Sequence, residues 1–176
     1  MQKIALFAMT LLLVMTGSVV NAESATTLTD TQIKLIKSNC LSAESILGRI
    51  HVSDALMRVN MGQQYESIST KLMAPLNSRI SLNQLDGVDL AKTTVAFNSQ
   101  LDKFRLEYKT YDQTVSDALN MQCSSRPADF YAQITLARSQ RTVVHDSVNT
   151  LNDLVKQYAS QFDQFEAATL KTASSN

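Results

Sequence analysis

The stretch that decides the fold is residues 90–118, LAKTTVAFNSQLDKFRLEYKTYDQTVSDA. Its apolar and aromatic side chains recur at alternating steps of three and four residues, the spacing that holds one face of a helix against partner helices. This apolar row consists of Leu90, Thr94, Phe97, Leu101, Phe104, Tyr108, Tyr111, Val115 and Ala118. It predicts a long helix with one buried face.

The same repeat occurs in two flanking stretches, which predicts three long helices. The N-terminal row, with one shift of register near Gly62, consists of Ile33, Ile36, Cys40, Ala43, Leu47, Ile50, Asp54, Met57, Met61, Tyr65, Ile68, Leu72 and Leu76. The C-terminal row consists of Phe130, Ile134, Ala137, Arg141, Val144, Val148, Leu151, Val155, Tyr158, Phe162 and Phe165. With 4 Gly and 2 Pro in the chain, turns are scarce. We therefore predict an all-α fold, an elongated antiparallel three-helix bundle or coiled coil.

Capping residues mark where the helices should begin. Thr29-Asp30-Thr31-Gln32 is a capping box, with Thr at the cap and Gln at the third helical position. The second helix should begin at Asp86, and the third around Ser125 to Pro127. The predicted organisation is a short lead at 23–28, helices at about 29–82, 86–121 and 126–168 within a bundle at 29–170, and a frayed tail at 171–176.

Pro75 falls inside the predicted first helix. Proline lacks the backbone N–H and clashes with the preceding turn, so it should kink or end a helix. The apolar spacing continues through Leu76 and Ile80, which favours a kinked helix that reaches about Leu82. A break followed by a short extra helix is the alternative.

The N-terminus has the features of a secretory signal peptide at residues 1–22. Lys3 supplies the positive charge, Ile4 to Met15 forms an apolar stretch too short for an ordinary membrane span, and Val20-Asn21-Ala22 suits cleavage after Ala22. We therefore expect an exported protein, in the periplasm, at the cell surface or outside the cell. An uncleaved N-terminal anchor is the alternative.

Cys40 and Cys123 are the 2 cysteines of the chain. In an exported protein an even pair favours a disulfide. The two residues lie at similar distances along the chain from the first turn, near residues 83–86, so an antiparallel hairpin brings both to the same end. An intermolecular bridge and free thiols are the alternatives.

With that end fixed, a residue n of the third helix should lie level with about residue n − 86 of the first. Asp54 and Arg141 are the charged residues of their rows, and both fall in one layer with Tyr108 of the second helix. We predict an Asp54–Arg141 pair inside the bundle, with a contact from the Tyr108 hydroxyl. It could be a ligand or switch site, or a polar layer that rejects shifted alignments. Replacing Asp54 alone should then cost about 3 to 5 kcal/mol.

No motif for catalysis is present in the sequence. There is no GxSxG, Gly-rich phosphate loop, HExxH or CxxCH. His51 and His145 should differ in height by roughly 12 Å, too far to share a metal. We predict no catalytic, cofactor-binding or metal-binding residue, and no enzyme activity. A formal net charge of +0 argues against nucleic acid as a partner.

Val52, Leu56 and Val59 form a short apolar stripe on the side of the first helix opposite its row. A solvated helix is usually polar there, so the stripe is a candidate surface for a protein partner or a second copy of the chain. Scattered surface apolar residues are the alternative, because such residues are common on soluble proteins.

Two resemblances accompany these patterns. Leu28-Thr29-x-x-Gln32 resembles the LTxxQ signature of the Spy and CpxP group of periplasmic chaperones. The stretches Ala55 to Asn60 and Pro127 to Arg141 resemble small secreted three-helix proteins of bacteria that have no assigned activity. We expect an exported structural or protein-interaction module. A holdase-like periplasmic chaperone and a small-ligand binder at the polar layer are the alternatives.

Overall fold

The computed structural model describes residues 28–174, with side chains as far as Lys171. The predicted signal peptide, residues 1–22, lies outside the described residues. Residues 28–174 contain helices and no strand. The elements are α1 (Asp30–Ser38), α2 (Cys40–Ser67), a π-helical segment (Ile68–Met73), α3 (Ala74–Leu82), α4 (Val88–Asn120) and α5 (Pro127–Ser174). None of these helices combines the length and the hydropathy that a membrane crossing needs.

The capping box predicted at Thr29 is confirmed. The Thr29 hydroxyl accepts from the Gln32 backbone N–H at 3.3 Å, and the Gln32 side-chain oxygen accepts from the Thr29 N–H at 2.8 Å. α4 begins at Val88 rather than at Asp86. The Asp86 carboxylate instead accepts from the Val88 N–H at 3.4 Å across the turn.

Helical backbone continues through Pro75 to Leu82, the extent that the apolar spacing favours. The π-helical segment stands directly before Pro75, and its wider turn accommodates a residue that cannot donate to the helix. A π turn takes in an extra residue and rotates the helix face that follows. The prediction that Leu72 belongs to the buried apolar row is therefore wrong. Leu72 is 62% exposed, and its neighbour Met73 is buried instead.

The apolar row of α4 is buried at every predicted position. It contributes to two core clusters. The first surrounds the disulfide and contains Cys40, Leu47, Tyr108, Tyr111, Val115, Ala118, Cys123, Phe130 and Ala137. The second contains Tyr65, Met73, Ile80, Leu90, Phe97, Leu101, Phe104, Leu151 and Tyr158. α4 is the element against which α2, the π-helical segment, α3 and α5 pack, whereas α1 packs against α5.

Hydrogen bonds between helices give the alignment of α4 with α5. The Thr93 hydroxyl contacts Gln161 at 2.8 Å, and about two turns further along α4 Gln100 contacts Ser147 at 2.9 Å. Residues later in α4 therefore contact residues earlier in α5. Both α2 and α5 pack against α4, and they make far fewer close backbone approaches to each other.

The predicted disulfide between Cys40 and Cys123 is confirmed. Both residues are buried, and their Cα atoms lie 5.6 Å apart. The bond joins the first residue of α2 to the turn between α4 and α5. Further along, the Tyr65 hydroxyl donates to Asn152 at 3.0 Å, a pair whose numbers differ by 87. That difference lies close to the offset of 86 predicted from the sequence.

We expect the double variant Cys40→Ala/Cys123→Ala to lower the free energy of unfolding by about 4 to 5 kcal/mol, because the bond closes a long loop in the unfolded chain. Urea unfolding under oxidising conditions measures the loss. Under reducing conditions the unchanged protein and the variant should give the same curve. Equal stability of the two under oxidising conditions would show that the bond contributes nothing.

Candidate functional site

An open groove lies between α2 and α5, and we call it the central groove. Its floor is formed by Phe104, Tyr108 and Tyr111 of α4. Apolar side chains of α2 and α5 form its walls: Met57, Met61, Val144 and Val148. Its volume is about 540 Å³, within the range of roughly 300 to 1,000 Å³ that is common for ligand pockets.

The groove exists because α2 and α5 do not close over α4 at this level. Met57 belongs to the predicted apolar row, but that prediction is wrong, since its side chain is 56% exposed at the groove wall. Arg138 and Arg141 of α5 line the same groove, and both side chains are exposed to water. Apolar contacts therefore cannot draw the two flanking helices together here.

Asp54 and Arg141 form a bidentate ion pair across the groove. The Arg141 Nε donates to Asp54 Oδ2 at 2.8 Å, and a terminal Arg141 nitrogen donates to Oδ1 at 2.9 Å. The pair lies where the sequence offset predicts it, but the layer is not buried. The Asp54 side chain is 11% exposed and that of Arg141 58%, because the open groove leaves the guanidinium at its mouth.

The tyrosine that contacts Asp54 is Tyr111, and the prediction of Tyr108 is wrong. The Tyr111 hydroxyl donates to Asp54 Oδ2 at 2.7 Å. The Tyr108 hydroxyl is buried and has no hydrogen-bond partner among residues 28–174. Both tyrosines belong to one face of α4, and an offset read from sequence is too coarse to choose between positions less than one turn apart.

The charges around the ion pair shift several pKa values. Burial disfavours ionisation of Asp54, but the hydrogen bonds from Arg141 and Tyr111 outweigh it and lower the pKa of Asp54 below its ordinary value. Burial, followed by the hydrogen bond to Asp54, raises the pKa of Tyr111. Burial, assisted by the Asp112 carboxylate, raises the pKa of Tyr108 to about 12. Both tyrosines are therefore neutral at physiological pH, and Tyr111 donates its hydroxyl proton to Asp54.

The rim of the central groove carries an excess of positive charge. Arg58 and Arg138 line it, and neither has a carboxylate at ion-pair distance within the part of the chain that the structure describes. The Arg58 guanidinium carbon lies 5.1 Å from the centre of the Tyr108 ring, in cation–π geometry. The charge of Arg141 is already matched by Asp54, so Arg58 and Arg138 provide the excess.

A smaller apolar space continues the groove toward the disulfide, beyond the Asp54–Arg141 pair. Its volume is about 360 Å³, and its lining includes Ile46, Ile50 and Ala137. Arg138 and Arg141 border both spaces. The ion pair thus divides one long opening between α2 and α5 into two compartments.

Of the other residues considered in the sequence, the apolar stripe and His51 lie outside the groove, whereas His145 lines it. Val52 and Leu56 are 62% and 64% exposed, and Val59 is 46% exposed, so the apolar stripe faces solvent. His51 contacts Asp112 at 2.9 Å, whereas the His145 ring lies beside Asn149. No cluster of His, Cys, Asp and Glu within residues 28–174 could hold a metal ion.

Arg58, Arg138 and Met61 line the groove, and the sequence patterns did not predict them there. One signal could have found part of the set: Arg138 and Arg141 are three positions apart, and His145 follows four positions later, which puts all three on one side of a helix. The chain was also compared with models of protein families, with curated proteins and with solved structures, and no match was found.

We expect Tyr111→Phe to lower the free energy of unfolding by about 1 to 2 kcal/mol, because Asp54 loses a charge-assisted hydrogen bond. Tyr108→Phe is the matched control on the same helix face. It removes a buried hydroxyl without a partner and should leave stability unchanged or slightly raised. Denaturant unfolding of both variants measures the two changes in stability. A larger loss for Tyr108→Phe than for Tyr111→Phe would contradict this account of the ion pair.

The exposure of Arg141 reduces the cost expected for the loss of Asp54. We expect Asp54→Asn to cost about 1 to 2 kcal/mol at neutral pH, instead of the 3 to 5 kcal/mol expected for a buried pair. The pKa of Asp54 is lower in the folded state, so its contribution is complete above the unfolded value and is lost as pH falls through the folded value.

The stability difference between the unchanged protein and Asp54→Asn should accordingly shrink below about pH 4. Urea unfolding at a series of pH values measures it. A difference that stays constant down to about pH 2 would mean that the Asp54 carboxylate does not stabilise the fold through its charge.

Proposed function

We propose that the chain is an exported, elongated, antiparallel three-helix module whose function is to bind an apolar partner in the central groove. The observation that carries this proposal is the groove itself. Aromatic rings of α4 lie at its floor, and Met57 and the partly buried Val148 stand at its walls in reach of water. Exposed concave apolar surface of this size is characteristic of binding sites.

The three-helix arrangement is supported by the contacts of α4. Its successive residues hydrogen-bond to progressively earlier residues of α5, as with Thr93 to Gln161 and Gln100 to Ser147. The disulfide then fixes α2 beside the same end of α4. In this arrangement α2 and α5 run in parallel on two sides of α4, and the opening between them extends along both helices.

Export is supported by the N-terminal pattern and by the cysteines. Residues 1–22 have the charge, apolar stretch and cleavage residues of a secretory signal peptide. Cys40 and Cys123 form a disulfide, which persists in oxidising compartments and is uncommon in the cytosol. Periplasm, cell surface and extracellular space all agree with these features.

Two other binding modes have support of their own. The exposed stripe of Val52, Leu56 and Val59 suits a protein partner or a second copy of the chain. A holdase-like chaperone would use the groove for unfolded clients, and Met57 and Met61 supply the adaptable side chains that promiscuous sites favour. Suppression of client aggregation in a light-scattering assay would distinguish a holdase from a binder of one defined partner.

Binding of a neutral fluorescent dye, N-phenyl-1-naphthylamine, tests whether the central groove is an apolar binding site. We expect saturable binding with one dye per chain and a rise in fluorescence. Met57→Gln should weaken binding by about fivefold, because a half-exposed apolar wall is lost. Val95→Gln is the control, since Val95 is 70% exposed on α4 and lies away from the groove.

Circular dichroism melts should be alike for both variants, because each replaces an exposed side chain. Dye binding that does not saturate, or that Val95→Gln reduces as much as Met57→Gln does, would contradict the groove as the binding site.

A further inference from the structure

We propose that the central groove binds a single-chain amphiphile with a carboxylate headgroup, a long-chain fatty acid, with its hydrocarbon chain along the α4 floor and its carboxylate at the rim that Arg138 and Arg58 line. This inference rests on the proposed function and adds the chemical class of the occupant. It combines three observations: the unmatched charge of the rim, the lack of polar partners on the floor, and the ion pair that divides the opening.

The charge at the rim calls for an anion. Arg138 and Arg58 have no carboxylate at ion-pair distance in residues 28–174, and Asp54 is occupied by Arg141. Two acids, Asp102 and Asp112, line the neighbouring surface beside Arg58. Asp102 pairs with Arg105 at 2.8 Å, and Asp112 contacts His51 at 2.9 Å. A guanidinium fork matches a carboxylate, and Arg141 already holds one in this groove with two hydrogen bonds.

The floor favours a hydrocarbon chain over an extended peptide. The Tyr111 hydroxyl is engaged with Asp54, and the Tyr108 hydroxyl is buried beneath the surface. Around them lie Phe104, Met61 and Val148, which offer no hydrogen bond. The polar Thr142 and His145 of the lining are already hydrogen-bonded, to the Arg138 carbonyl and to Asn149. A peptide backbone laid here would leave amide groups without partners, which is costly, whereas a hydrocarbon chain has no such groups.

The Asp54–Arg141 pair favours a thin occupant over a helix. It crosses the opening with contacts of 2.8 and 2.9 Å and separates the space of about 540 Å³ from that of about 360 Å³. An α-helix is about 10 Å across with its side chains, so it would have to displace this pair to lie along the opening. A hydrocarbon chain fits within the larger compartment and leaves the pair intact.

Titration calorimetry with three probes of equal chain length tests the headgroup: tetradecanoate, tetradecanol and tetradecyltrimethylammonium, each below its micelle concentration, on the oxidised, delipidated protein. We expect tetradecanoate to bind one per chain, several-fold more tightly than the alcohol and at least tenfold more tightly than the ammonium. Shortening the carboxylate should weaken binding by about fourfold per methylene removed.

Two variants test the rim. Arg138→Gln and Arg58→Gln should each weaken tetradecanoate binding by about two- to fivefold in low salt and leave tetradecanol unchanged, because exposed charge pairs contribute modestly. Added salt should reduce the advantage of the carboxylate over the alcohol. Arg79→Gln on α3 is the control, since Arg79 carries the same charge away from the groove.

The possible outcomes separate this inference from the proposed function. If the carboxylate binds best and the rim variants remove its advantage, the inference holds. Equal binding of all three probes, or preference for the ammonium, would overturn the inference of a carboxylate headgroup. The proposed function, apolar binding in the central groove, would remain. If no probe binds and the neutral dye also fails, the proposed function falls together with the inference.

Discussion

The continuous apolar row of α4 is the constraint on which the rest of the structure depends. Every position of that row is buried, and both core clusters include its side chains. Complete burial of large side chains such as Phe97 and Phe104 stabilises by roughly 1.5 to 3 kcal/mol each. Because α2 and α5 gain this stabilisation by packing on α4 rather than on each other, the helical fold can leave one side open between them.

That open side contains both the central groove and the Asp54–Arg141 ion pair. Where α2 and α5 stand apart, a polar bridge replaces apolar packing: Asp54 and Arg141 hold the two helices at a fixed height, and Tyr111 supports the carboxylate from below. The same polar groups keep the opening in contact with water. The groove and the ion pair therefore have one local cause: Arg138 and Arg141 interrupt the apolar residues of the α5 wall.

The accuracy of the sequence analysis differs between the helices for a physical reason. The α4 row was predicted correctly because a regular helix repeats at a constant angle, so spacing alone identifies the buried face. The error at Leu72 arises where the π-helical segment changes that angle. Met57 satisfies the spacing but not the burial, since burial also needs a partner surface, and α5 presents arginines at that height.

The sequence by itself determined the all-helical composition, the capped start at Thr29, the pairing of Cys40 with Cys123 and the common height of Asp54 and Arg141, because these follow from local spacing and chain length. Tertiary structure alone decided the choice of Tyr111 over Tyr108, the exposure of Arg141 and the separation of α2 from α5. These depend on distances between helices, which are set by the side chains of several elements acting together and leave no periodic signal in the sequence of any one helix.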